Sequence, residues 1–122
     1  MKPPVLHYYE VESGEFVGGA SAGPCTSCSG GKLAGGICDQ ATVKLTGIEA
    51  SSAKMDVRFD YINTEFSVND DGVNFRGATV WVNAGPPQTV EFPFSGYTND
   101  TGLWKDYLVR LNGFNVGGSN SI

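Results

Sequence analysis

The chain has 122 residues, a net charge of −5 and only 17% charged side chains. That length suits one domain with a buried core, and its scattered acids leave no electrostatic footprint for a nucleic-acid backbone. No polybasic or long apolar segment is present for membrane attachment, and 17 Gly with 7 Phe, 5 Tyr and 2 Trp make a strand-and-turn composition.

Met1 precedes Lys2-Pro3-Pro4 with no apolar signal segment, so the protein is either cytosolic or exported with its signal peptide removed. Tyr9-Glu10-Val11-Glu12 reads as a β-strand, which sets Glu10 and Glu12 on one face. Two carboxylates held that close repel unless a cation lies between them. Calcium takes oxygen ligands of this kind. A solvated edge strand with two surface glutamates is the other reading.

Cys25, Cys28 and Cys38 fall in one Gly/Ser-rich stretch. With His7 the only histidine and no second Cys-x-x-Cys, four zinc ligands cannot be assembled. No helix follows to make a thioredoxin-like site. A structural disulfide fits better and implies an oxidising compartment. The sequon Asn99-Asp100-Thr101 points the same way.

Val43 and Leu45 alternate with Thr42, Lys44 and Thr46 in an early strand, and residues 53–61 alternate apolar and charged without a break. Ala78 to Val82 and Val90 to Phe94 flank a Gly/Pro turn and form a hairpin. Pro93 assigns its second strand to an edge or a bulge. Tyr107, Val109 and Leu111 mark a later strand. No window holds a helical period. The fold expected is all-β, a β-sandwich of jelly-roll type spanning residues 1–122 as one domain, without linker or repeat. Its long loops, 13–36, 63–77 and 95–102, gather at the ends of such a sandwich and carry function there.

Nucleophilic catalysis has poor prospects, because a triad would depend on His7 and no Gly-x-Ser-x-Gly elbow is present. The paired glycines are followed by neither Lys-Ser/Thr nor a helix, so they make no phosphate loop. A small carboxylate-dependent glycosidase or polysaccharide lyase is the alternative function, although a domain this small rarely holds a deep cleft. Sugar binding suits the remaining residues: an aromatic face for a pyranose ring and polar groups for its hydroxyls. Trp104 lies beside Asn99, Asp100 and Asp106; Asn115 and Asn120 occupy the Gly-rich C-terminal loop; Asn74 and Arg76 enter a strand. Trp104 serves either as this platform or as core packing. Trp81 serves either to pack an edge or as a flat binding face.

In order along the chain, Tyr9-Glu10-Val11-Glu12, Cys25-Thr26-Ser27-Cys28-Ser29-Gly30-Gly31, the strand Asn74-Phe75-Arg76-Gly77-Ala78-Thr79-Val80-Trp81-Val82-Asn83 and Gly118-Ser119-Asn120-Ser121-Ile122 resemble carbohydrate-binding module family 35. The cysteine segment is similar to that of fungal members attached to α-galactosidases and β-1,3-galactanases. The resemblance implies a secreted, extracellular, monomeric jelly-roll with structural calcium. It implies a non-catalytic module that targets a covalently linked glycoside hydrolase to galactose-containing polysaccharide. By carry-over, Glu10 and Glu12 become calcium ligands, assisted by a carbonyl of the loop ending at Lys32, and a Cys25–Cys28 disulfide braces that loop. The sugar site then draws on the loop from Asn63 to Arg76, on Asp100 and Trp104, and on Asn115 and Asn120.

Three departures qualify it. The family continues past the last motif to an Asp-containing segment that completes the calcium site, so the domain is expected to lack its last C-terminal strand segment. Cys38 adds a thiol, and the insertion Asn69-Asp70-Asp71-Gly72 enlarges the middle loop.

Overall fold

Antiparallel strand pairs dominate residues 7–37, 40–64, 75–96 and 102–122, the parts of the chain described by the computed structural model. In chain order the strands are β1 (Glu15–Val17), β2 (Ser21–Pro24), β3 (Lys32–Gly35), β4 (Thr42–Lys44), β5 (Ile48–Ala50), β6 (Lys54–Ile62), β7 (Phe75–Val80), β8 (Gln88–Pro93), β9 (Leu103–Asn112) and β10 (Gly117–Asn120). They pair as β1–β4, β2–β3, β5–β10, β6–β9 and β7–β8. Their inward faces enclose Ile48, Ala50, Val82, Val90, Leu111 and Phe114. The result is the expected all-β sandwich.

The alternation that identified β6 decides how it packs. Met55, Val57, Phe59 and Tyr61 face inward, while Lys54, Asp56, Arg58 and Asp60 are exposed. Opposite them on β9, Leu111, Val109 and Tyr107 supply the matching apolar side. Leu111 is only 1% exposed, so truncating it to alanine costs about 2–5 kcal/mol through the cavity left behind. Pro93 ends β8 opposite Phe75, where the missing N–H interrupts no longer ladder. Between β7 and β8, Asn83 and Ala84 both take positive φ, 53° and 57°, and Gly85 N–H donates to the Val82 carbonyl at 2.9 Å. Asparagine tolerates that conformation.

One irregularity redirects Trp104. Phe59 pairs with Tyr107 but Tyr61 pairs with Trp104, so β9 carries an extra residue opposite Asp60. Asp106 absorbs it at φ 60°, and its N–H donates to Asp60 Oδ1 at 2.9 Å. A bulge of this kind shifts the parity of every residue beyond it. Trp104 therefore joins the inward side with Tyr107; regular alternation would have turned it outward with Leu108.

The strand expected at residues 9–12 does not form. Val11–Ser13 is a single 3-10 turn instead. The Ser13 N–H and hydroxyl both donate to the Glu10 carbonyl, at 3.0 and 2.6 Å, and Gly14 N–H reaches the Val11 carbonyl at 2.9 Å. These local bonds satisfy the backbone without a partner strand.

Candidate functional site

The sandwich has two chemically different ends. At one, β6 and β8 finish and β7 and β9 begin; the connections 63–75 and 95–102 leave and return there. An aromatic column occupies this end. Phe92 packs edge-on against Phe59 at 5.5 Å and tilts against Tyr61 at 4.9 Å. Trp104 stacks on Tyr61 at 5.8 Å and 19° and meets Tyr107 edge-on at 5.8 Å and 73°. It closes the column yet remains 41% exposed.

The two tyrosines hold this platform in place. Tyr61 OH donates to the Pro93 carbonyl at 2.9 Å and Tyr107 OH to the Glu91 carbonyl at 2.7 Å, so both rings are pinned to β8. Burial, aided by Tyr107, pushes the Tyr61 hydroxyl up to about 12. It stays a neutral donor throughout the ordinary pH range. Arg76 pairs with Phe92 across β7–β8, which sets the exposed guanidinium position on the same side as the column. Asn63 is 6% exposed and works as a clasp: its N–H donates to Ser95 Oγ at 2.7 Å and its side-chain amide to the Phe92 carbonyl at 3.0 Å.

Asn120 lies at the other end and is fully buried. Its Nδ2 donates to the carbonyls of Ile48, Asn115 and Gly117 at 3.0, 2.8 and 3.1 Å. Its Oδ1 accepts from Asn83 Nδ2 and the Asn115 N–H, both at 2.7 Å. Asn83 in turn bridges the Gly113 carbonyl and the Ser121 N–H. The expectation that Asn120 contacts sugar is therefore corrected: its amide is committed to five hydrogen bonds with four residues inside the scaffold. Asn115 shares this end and keeps an exposed side chain, so the expected grouping of Asn115 and Asn120 with Trp104 does not form. At about 3.3 Å per residue, β9 separates the two ends by roughly 25 Å. Asp100, like Asn74, Asn99, Cys38 and the 69–72 insertion, lies outside the described residues.

Glu10 and Glu12 come together by a route that strand alternation did not supply. Cys25 and Cys28 form a disulfide. Cys25 N–H donates to the Gly31 carbonyl at 3.0 Å and Gly31 N–H to the Cys28 carbonyl at 3.1 Å, tightening the 3-10 turn Ser29–Gly31. Gly30 sits in that turn at φ 69°; a β-carbon there would stand 3.3 Å from Glu12 Oε1 and 3.7 Å from Glu10 Oε1. Ser29 Oγ donates to Glu10 Oε2 at 3.0 Å. Glycine thus admits both carboxylates to one backbone turn. Among the described residues no third His, Cys, Asp or Glu side chain joins them. A hard cation here would take its other ligands from backbone carbonyls and water, and this oxygen donor set suits calcium rather than a softer metal. Lys32 is exposed at the start of β3, next to the turn.

Sequence reading missed Tyr61 and Tyr107 as supports and missed the bulge. The signal for the tyrosines lay in the inward parity of residues 53–61 and 107–111. The bulge has a local cue only in Asp60 and Asp106, whose contact crosses the pair.

No family model and no curated protein matches the chain. Solved structures do. The chain superposes on an exo-beta-1,3-galactanase from Phanerochaete chrysosporium solved with galactose, with TM-score 0.76 and 28% identity over 93% of this chain. The E208A variant of that enzyme with beta-1,3-galactotriose gives the same values. The chain spans 24% of the length of these galactanase chains. A family 35 carbohydrate binding module from Clostridium thermocellum matches with TM-score 0.77 and 20% identity, covering 96% of this chain and 84% of the module. The fold is that of a carbohydrate-binding module β-sandwich.

Proposed function

We propose that the protein is a non-catalytic carbohydrate-binding module that directs a covalently attached, secreted glycoside hydrolase to galactose-containing polysaccharide. The observation that carries this reading is the exposed Trp104 ring, held flat on Tyr61 at the end of the sandwich where β6 and β8 finish and β7 and β9 begin. A pyranose presents an apolar face of C–H groups, and a rigid indole offers a matching surface at little entropic cost. Arg76, on the same side, supplies planar donors for ring hydroxyls. Selectivity for galactose is supported by the likeness to the galactanase region.

Glu10 and Glu12 hold calcium in this reading, with carbonyls of the Ser29–Lys32 turn completing the shell. The ion supplies positive charge that lets two carboxylates share one turn, so its role is to stabilise the scaffold. The Cys25–Cys28 disulfide fits export to an oxidising compartment.

Calorimetric titration with galactose, β-1,3-galactotriose, xylan, mannan and uronic acids tests the function. Heat of binding confined to the galactose-containing ligands supports it. Absence of heat with every sugar refutes it, and release of products from any polysaccharide would point to an enzyme.

A further inference from the structure

Trp81 is 46% exposed, and no aromatic ring stacks on it among the described residues. The burial alternation of β7 carries past its last residue: Val80 is half-buried, Trp81 exposed and Val82 buried. Trp81 therefore stands on the outer face with Gly77 and Thr79, away from the core side that holds Ala78 and Val80. Pairing with β8 sets Thr89 beside Thr79 and Glu91 beside Gly77 on that same face. Thr79, Thr89 and Glu91 are all exposed. Gly77 has open space where a β-carbon would project, with nothing within 4 Å. A glycine inside a strand forfeits packing and leaves the backbone open to close approach by a ligand.

We infer that this outer face of β7–β8 is a second carbohydrate contact, one that takes an extended stretch of polysaccharide. Trp81 stacks against one sugar ring; Thr79, Thr89 and Glu91 meet hydroxyls along the chain; the open strip over Gly77 lets the polymer lie flat. The inference rests on the sugar-binding reading above but uses other residues on another surface. Trp104 closes the inward column at the opposite end of the sandwich, so the two indoles cannot share one sugar residue. A protein partner fits less well, because one indole and the neighbouring Pro86 and Pro87 fall far below the roughly 800 Å² per partner of a stable interface. Two contacts on one polymer raise apparent affinity through effective concentration without improving the affinity for a short ligand.

Trp81→Ala and Gly77→Val test this, the second by filling the strip while leaving the ring. Both side chains lie outside the core, and melting curves confirm that each variant folds. Both variants should bind β-1,3-galactotriose as the wild type does while adsorbing to polymeric β-1,3-galactan at least about tenfold more weakly. Adsorption equal to wild type in both variants overturns the second contact. So does a wild-type dimer in sedimentation that Trp81→Ala dissociates, which would make this face a self-association surface. If Trp104→Ala leaves galactotriose binding intact and Trp81→Ala removes it, the Trp104 site fails and the Trp81 face becomes the primary one. A wild-type protein that binds neither ligand overturns both proposals.

Discussion

The Trp104 end and the Asn120 end of the sandwich are built from residue types that sugar sites favour, yet they differ in what those groups have left to offer. At the first, an indole rests on a pinned tyrosine and keeps two-fifths of its surface in water. At the second, Asn83 donates to Asn120, the two side chains bond to the backbone of five residues, and Asn120 exposes nothing. A polar or aromatic side chain becomes a recognition group only where the fold leaves its bonding face open. Where its capacity is fully used, it is a structural rivet.

Asn120→Ala should break this contrast most severely. Removing the amide leaves the Ile48, Asn115 and Gly117 carbonyls and the Asn83 side chain short of a partner, each at about 1–3 kcal/mol. A total loss of at least about 3 kcal/mol is expected in urea denaturation, with the sugar affinity of the folded fraction unchanged. A variant as stable as wild type would show that the network is replaceable by water.

Chelation comes next. If the turn around Gly30 holds calcium, a chelator lowers the melting temperature by several degrees, since ligand bound only to the folded state adds stability by mass action. Glu10→Gln with Glu12→Gln should abolish that difference. Equal melting of wild type with and without chelator removes the ion from the account.

Tyr61→Phe probes the support beneath Trp104 and should cost about 1 kcal/mol for the bond to the Pro93 carbonyl. Its raised folded value fixes the pH dependence. The contribution is complete below about 10, the value of an unfolded tyrosine, and is lost as pH rises toward about 12. Alkaline unfolding monitored through tyrosinate absorbance checks this; wild type and Tyr61→Phe losing stability in parallel above pH 10 would contradict it.

The smallest effect belongs to the outer face of β6–β9. The hydrogen bond from Arg110, then its charge, holds Asp56 below the usual carboxylate range. A lowered folded value contributes stability above the unfolded value and loses it as pH falls through the folded one. Asp56→Asn should therefore differ slightly from wild type in melting at neutral pH and not at all in strong acid, because exposed pairs contribute little.

Much of the architecture was legible in the sequence, because residues 53–61 alternate apolar and charged and Tyr107, Val109 and Leu111 recur at every second position, which fixes both strand and face. The Trp104 platform was half legible. Its residue type and polar surroundings marked it, but the bulge that aims it depends on a contact between Asp60 and Asp106, which are 46 positions apart. Glu10 and Glu12 were chosen for a reason that fails, since Ser13 and Gly14 close a turn where a strand was expected. The pair still converges because Gly30 lets another loop reach it, and that proximity is tertiary. Asn120 misled because an asparagine in a Gly-rich tail reads as exposed; only its distant partners, Ile48 and Asn83, make it core.

Calorimetric titration of β-1,3-galactotriose into Trp104→Ala and Asn115→Ala, one exposed side chain from each end, decides which end of the sandwich holds the sugar. Trp104→Ala should lose binding by at least about tenfold, as removal of a stacking aromatic does, while Asn115→Ala should bind as wild type does. Retained binding in Trp104→Ala with loss in Asn115→Ala would put the sugar at the opposite end of the sandwich and contradict the Trp104 site.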